Sequence, residues 1–176
     1  MSKVSDATVI TGTGVVPGVR YAEAVWIRPR PALPTSGPVV EAGEREAEYE
    51  RFTTAADTVA ERLSSRSEAA DGAAKEVLNA TAGMVRDRGW RNKNIKSGHP
   101  AEYAVVAATT KFISMFEAAG GVMAERVTDL RDIRDRVIAE LRGEEEPGLP
   151  QVNGEVVLFA DDLSPADTAA LDTNHF

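Results

Sequence analysis

The sequence predicts an α+β protein in which a four-helix bundle is inserted between β segments that belong together. Three observations predict it. Runs rich in β-branched and aromatic residues occur near the start ("TVITGTGVV" and "VRYAEAVWI") and again near the end ("EVVLFA"). Between them, from about Glu41 to Gly143, the apolar period is helical. The joints, "RPRPALPTSGP" and "EEEPGLPQVNG", are dense in Pro, Gly and charge.

Taken in order, Val9 to Ile27 predicts a β-hairpin with Pro17-Gly18 at its turn. The proline-rich stretch that follows reads as a linker. A first helix places Tyr49, Phe52, Ala56, Val59, Ala60 and Leu63 on one face, and a second places Ala74, Val77, Leu78, Thr81 and Met84 together until Gly89 weakens it. The third starts at Pro100, a residue suited to the first helical position, and runs to Gly120-Gly121. The fourth gathers Val127, Leu130, Val137, Ile138 and Leu141 and stops at Gly143. Short loops between amphipathic helices make a bundle. The strand period then returns, so the chain divides into a helical subdomain, 41–143, and a β-containing subdomain built from 1–35 and 150–176.

Composition narrows the function classes. The 176 residues are 43% apolar and carry a net charge of −8. That is enough to bury a core, and the acidic balance argues against nucleic acid, whose binders cluster Lys and Arg to neutralise phosphates. Basic partners suit it better. No apolar run reaches membrane-spanning length, and "MSKVSDATVI" lacks the pattern of a secretory signal, which points to a cytoplasmic protein without membrane contact. The absence of cysteine removes thiol catalysis, thiolate metal sites and disulfides.

Several stretches have the residue types of a site. "GTGVVPG" has phosphate-loop glycines, but its spacing fits neither the dinucleotide nor the Walker pattern and a strand follows where a helix is required. His99 and His175 lack metal-ligand spacing to each other or to a carboxylate pair. Asp161 and Asp162 have the chemistry for acid-base work or Mg²⁺. Neighbours on a strand point apart, however, and a solvated pair is the better account. "TDLRDIRDR" alternates in sign along a helix face; a salt-bridged exposed helix and a functional charged face are equally compatible with it. In "LSPADTAAL", Ser164 is a natural N-cap, Pro165 a favoured first residue, and Asp167 completes a capping-box-like Ser-x-x-Asp, leaving the Thr168 hydroxyl free in the first turn. A short helix after a buried strand is a common way to present an anion or phosphoryl site.

Together, "GTGVVPGVRYAEAV", "AERVTDLRDIRDRVIAEL" and "VVLFADDLSPADTAAL" resemble the opening hairpin, the fourth helix and the pre-active-site strand and helix of the amino-terminal region of bacterial Enzyme I, the phosphoenolpyruvate-protein phosphotransferase. "GHPAEYAVVAATTKFISMFEAAGG" is similar to the actinobacterial, corynebacterial type. The resemblance spans nearly the whole chain. It implies a helical subdomain that docks the carrier protein HPr, inserted into a phosphohistidine (swivelling) α/β subdomain that is incomplete here. Members continue into a Gly-Gly-x-Thr-Ser-His segment, whose histidine takes the phosphoryl group from phosphoenolpyruvate and passes it to HPr for sugar uptake. The present sequence contains no such segment. The expectation is therefore an inactive fragment that binds HPr without cofactor. Mg²⁺, the phosphoenolpyruvate-binding carboxyl-terminal domain and homodimerisation belong to the full-length enzyme, and the fragment is expected to be a monomer.

Residue by residue, the resemblance implies that Thr168 contacts the active-histidine ring and that Lys75 lies near the same phosphoryl site. Leu78, Met84 and Val85 of the second helix, Thr110, Lys111 and Met115 of the third, and Arg126 fall at HPr-facing positions. Arg131 and Asp132 match the charged stretch of the fourth helix. The basic "MVRDRGWRNKNIK" departs from many relatives, which are acidic there. For the Met and Leu residues, bundle core is an equal alternative. Two other readings of the whole stay open: a nitrogen-type or pyruvate phosphate dikinase-like relay, and a plain helical interaction module.

Overall fold

The computed structural model describes residues 13–87, 98–172 and 174–176. Two strands, β1 (Glu23–Trp26) and β2 (Val156–Phe159), pair in parallel with Glu23 opposite Val156 and Trp26 opposite Phe159. Parallel neighbours need a long crossover. Among the described residues it contains α1 (Arg45–Glu68), α2 (Gly72–Val85), α3 (Ala101–Ala119), the single turn α4 (Gly121–Glu125) and α5 (Val127–Arg142). After β2 comes the short α6 (Pro165–Ala169). The fold is α+β, with the helices inserted between the two strands.

The helical period of the sequence places the core as expected. Phe52, Ala56, Val59, Ala60 and Leu63 of α1 are at most 2% exposed and pack with Leu78, Ala82 and Val85 of α2, Val105 of α3, and Ile133, Val137 and Ile138 of α5. Tyr49 is half-buried at the margin of that stripe. Burying each large aliphatic side chain stabilises the fold by roughly 1.5–3 kcal/mol. A smaller cluster of Ile113, Val127 and Leu130 lies at the α3–α5 end, with Met84, Phe112 and Phe116 packed on it. Gly143 adopts φ +66° and ends α5, allowing the Glu144 N–H to reach back to the Ala139 carbonyl at 2.9 Å.

Two expectations change. The hairpin is not formed among the described residues: 13–22 contain no strand, and β1 pairs with β2 instead. Residues 9–12 of its first arm lie outside the described residues. Val15, Val16, Val19 and Tyr21 are 78–102% exposed, so alternation of apolar residues there reflects no packed face. The first helix begins at Arg45, after a turn closed by Glu44 N–H to Glu41 O, and not near Glu41 itself. Gly89 and most of the basic stretch fall in 88–97, outside the described residues. Among the described residues no helix is long and apolar enough to cross a membrane.

Candidate functional site

Side chains of α2, α3 and α5 enclose an open apolar groove of about 350 Å³, lined by Ala80, Gly83, Met84, Phe112, Phe116, Leu130 and Ile133 with Asp87 at its edge. Its floor exists because Gly83 and Ala80 leave α2 low beside Met84, while Phe112 and Phe116, one turn apart on α3, meet edge to face at 6.5 Å. Met115 of α3 and Val122 and Met123 of α4 are also apolar and are 51%, 69% and 43% exposed. Large exposed apolar patches mark interaction sites. Arg126, where α4 gives way to α5, donates to Asp129 at 3.2 Å.

The positions expected to face a partner divide in two. Thr110, Lys111, Met115 and Arg126 are exposed, and Met84 is half-buried on the groove wall. Leu78 and Val85 depart from the expectation: at 1% and 0% exposure their side chains lie in the core, so a partner seated on the bundle cannot touch them. Helical periodicity groups Leu78 with Met84, but the packing of α1 on α2 takes Leu78 and Val85 inward and leaves Met84 at the boundary between the two clusters.

The second constellation joins α5 to the segment that follows it. Arg136 is 1% exposed, and its guanidinium donates from Nε to Asp132 Oδ2 at 2.7 Å, from Nη2 to Asp167 Oδ1 at 2.8 Å, and from Nη1 to Glu146. Arg66 of α1 grips Glu146 from the other side, at 3.1 and 2.8 Å. Asp167 is fixed in turn: Ser164 Oγ donates to its Oδ2 at 2.8 Å and accepts from its backbone N–H at 3.0 Å, the expected capping geometry at the start of α6. The "TDLRDIRDR" stretch is therefore not an exposed helix. Asp129, Asp132, Asp135 and Arg136 are all at most 8% exposed, because α5 is covered on several sides.

Electrostatics in this knot follow from three carboxylates sharing one guanidinium. Burial alone would lower the Arg136 pKa, but Asp132, Asp167 and Glu146 together raise it well above the ordinary arginine value. Burial raises the Asp132 pKa more than the pull of Arg136 lowers it, and repulsion from Asp167 acts in the same direction as burial. Glu146 behaves oppositely: burial is outweighed by Arg136 and Arg66, and its pKa falls.

Beside the knot lies a cavity of about 430 Å³ between Ile27–Arg30, α5, Pro147-Gly148 and the β2–α6 connection. Asp161 and Asp162 stand exposed at its edge, as a solvated pair should. Asp135 accepts from Arg134 Nε at 2.7 Å through Oδ1, whereas its Oδ2 has no hydrogen-bond donor and lies 3.8 Å from Arg30 Nε. Among the described residues no group of three or more His, Cys, Asp or Glu is arranged to hold a metal ion.

Thr168 sits exposed in the first turn of α6, but its hydroxyl is not free: it donates to the Ser164 carbonyl at 3.1 Å. Lys75 is exposed near the start of α2, the helix on which α6 packs. Arg131 is exposed and pairs with Glu117 at 3.4 Å, whereas Asp132 is buried against Arg136. His99 Nδ1 lies 3.3 Å from the Pro38 carbonyl and His175 Nδ1 lies 3.0 Å from that of Gly154, at separate places in the fold. Residues 13–18 of the glycine stretch are exposed and lead into no helix, which agrees with the rejection of a phosphate loop. Sequence reasoning misses Arg136, Glu146 and Gly148; the Asp132/Arg136 spacing of one helical turn is the available signal for the first.

A family model described as PEP-utilising enzyme, N-terminal, matches residues 11–126. The chain is 37% identical over 174 residues to a phosphoenolpyruvate-protein phosphotransferase of Streptomyces coelicolor and 35% identical over 170 residues to one of Haloferax volcanii. These matches cover 94% and 93% of this chain but only 30% of each relative. Among solved structures, an Enzyme I protein determined by NMR in solution superimposes with a TM-score of 0.75 at 23% identity, over 90% of this chain and 67% of that one. The N-terminal domain of a nitrogen-type Enzyme 1 gives a TM-score of 0.62 at 23% identity, over 90% and 68%. At that identity the likeness is one of fold.

Proposed function

The chain belongs to the N-terminal family of PEP-utilising enzymes, and from that membership we propose that it is the carrier-docking part of a phosphoenolpyruvate-protein phosphotransferase, whose partner is HPr. The observation that carries this reading is the groove formed by Met84, Phe112, Phe116 and Leu130, with Thr110 and Lys111 exposed directly before Phe112 on α3 and Arg126 exposed at the start of α5. An apolar centre with a polar rim is the anatomy of a transient protein interface. In the proposed relay a histidine, supplied by the longer relatives in a Gly-Gly-x-Thr-Ser-His segment, carries the phosphoryl group between phosphoenolpyruvate and HPr. Thr168 and Lys75 are proposed to border that histidine.

The organisation proposed with it is a helical HPr-binding subdomain, 41–143, and a phosphohistidine subdomain to which 1–35 and 150–176 contribute. Mg²⁺, phosphoenolpyruvate binding and dimerisation are assigned to the remainder of the longer relatives, and the whole is placed in the cytoplasm. The direct test is a chemical-shift titration of labelled chain with HPr. Amides of 80–87, 110–116 and 122–130 are expected to move, with fast exchange suited to a carrier that must leave quickly. If no amide moves at millimolar HPr, the docking proposal fails.

A further inference from the structure

Helix α6 poses a problem of stability. Its five residues, Pro165–Ala169, are far below the length at which a helix holds itself together in water. It is nevertheless positioned, and its contacts to the rest of the chain are of two kinds. Ala166 is 3% exposed and joins the main apolar core where α6 packs on α2. Asp167 is 6% exposed and points the other way, onto the guanidinium of Arg136. Ala169 packs half-buried against the same core, and two methyl groups are a small anchor. The charged one is directional, because a planar guanidinium fixes both distance and angle.

The same guanidinium holds more than α6. Through Glu146 it holds the segment leaving α5, and Arg66 locks that segment to α1. Gly148 then lies directly on the Asp167 carboxylate: a β-carbon added there would overlap it, and Gly148 has φ +104°. From Gly148 the segment pairs with Arg28 in an antiparallel bridge, N–H to carbonyl at 2.9 and 3.3 Å. Arg28 directly follows Ile27, whose N–H donates to Phe159 O at the end of the sheet. One buried cation therefore stands at the crossing of α5, the return segment and α6.

We propose that Arg136 is a positioning residue that fixes α6, and with it Thr168, against the helical bundle, so that the bundle and the β2–α6 unit move as one body only while Asp167 is paired. Its bearing on phosphoryl transfer rests on the function proposed above, since Thr168 matters there only if a phosphoryl site lies beside it. The coupling itself does not depend on that reading.

Hydrogen exchange on the 176-residue chain tests it, with Asp167→Asn as the informative variant. Asparagine keeps the size, retains the backbone N–H that Ser164 Oγ caps, and leaves Arg136 paired with Asp132 and Glu146. The expected result is at least a tenfold loss of amide protection in 167–171 and 156–159, with α1, α2 and α3 unchanged. Glu146→Gln should instead loosen 144–148 and leave α6 protected. Arg136→Met removes all three pairings, and if it does not fold, the two carboxylate variants still decide. Unchanged protection of α6 in Asp167→Asn would mean that apolar packing on α2 holds it and would overturn the proposal, as would a uniform loss throughout the chain. HPr titration of Asp167→Asn separates the two readings, because the groove is built from α2, α3 and α5 alone: shifts there should match those of the unsubstituted chain. If the unsubstituted chain shows no shifts while the exchange pattern holds, only the functional reading falls.

Discussion

Glu48, in the first turn of α1, accepts a hydrogen bond from the backbone N–H of Ala101 at 2.7 Å and so caps a different helix, α3. Pro100, at the N-cap position, has no side-chain acceptor to offer. Arg51 closes the arrangement by bonding to Glu48 at 2.6 Å and Glu102 at 2.8 Å. One carboxylate thereby ties the starts of two helices and complements the positive end of α3.

Replacing Glu48 by Ala removes that cap and is expected to cost about 1 kcal/mol, the usual value of an N-cap acceptor. Glu48→Gln, which keeps an acceptor oxygen, should cost less. Burial by itself would raise the Glu48 pKa, but the Ala101 N–H and Arg51 outweigh it and lower it. A depressed carboxylate contributes stability above its unfolded pKa and loses it as pH falls through the folded value. Urea unfolding should therefore show the penalty of Glu48→Ala at pH 7 and little of it near pH 3.

Such a cap shows where the sequence stops being legible. The bundle is readable because Phe52, Ala56, Val59, Ala60 and Leu63 repeat with the helical period, which is a local property. The Ser164/Asp167 cap is equally local, three residues apart. The partner of β1 is not, since strand pairing between Glu23 and Val156 is decided by what lies between them in space. Nor is the burial of Arg136: charge on a helix face reads as solvated unless the pattern also shows what covers it, and here the cover comes from Glu146 and Asp167. Leu78 and Met84 share a stripe in the sequence. Only the packing of α1 separates core from groove.

Two glycines with positive φ should respond differently to alanine. Gly143, φ +66°, has open space where a β-carbon would sit, so Gly143→Ala should cost about 1 kcal/mol of backbone strain. Gly148, φ +104°, lies against Asp167, so Gly148→Ala must also displace a carboxylate from a buried ion pair. Breaking such a pair costs about 3–5 kcal/mol when a charge is left without its partner. Chemical denaturation should place Gly148→Ala at least about 2 kcal/mol below Gly143→Ala, the difference between those two costs. Equal losses would show that the segment at Gly148 can move aside freely.

The two shifted carboxylates on Arg136 give opposite pH signatures. The lowered Glu146 pKa contributes stability above the unfolded glutamate value, which is lost as pH falls through the folded one. The raised Asp132 pKa contributes stability below the unfolded aspartate value, which is lost as pH rises through the folded one. Glu146→Gln should therefore flatten the acid-side loss of stability, and Asp132→Asn should steepen it. Free energies of unfolding measured from pH 3 to pH 7 for both variants check this. Flattening by Asp132→Asn would contradict the burial that raises its pKa.

Neither histidine is expected to accept a phosphoryl group. His99 and His175 each place Nδ1 beside a backbone carbonyl, and neither stands in a Gly-Gly-x-Thr-Ser-His context. Intact mass after incubation of the 176-residue chain with phosphoenolpyruvate and Mg²⁺ should show no phosphate adduct. An adduct on either residue would mean that the phosphoryl site has been placed wrongly.

The docking surface is best probed where side chains are exposed. Met115 and Met123, at 51% and 43% exposure, belong to neither apolar cluster, so Met115→Asp and Met123→Asp should change folding stability by less than about 0.5 kcal/mol, as substitutions on open surface do. Each puts a charge into a proposed apolar contact, where it must be desolvated on association, and should weaken HPr binding tenfold or more. Met84→Asp is a mixed case, since Met84 packs on both apolar clusters and will lose stability together with binding. Leu78→Asp, at a position 1% exposed, should unfold the bundle outright and so reports on the core alone. Calorimetric titration paired with thermal unfolding of all four variants separates these outcomes. Loss of binding by Met115→Asp at unchanged melting temperature supports the groove as the docking face; unchanged affinity for both exposed variants places HPr on another surface of the molecule.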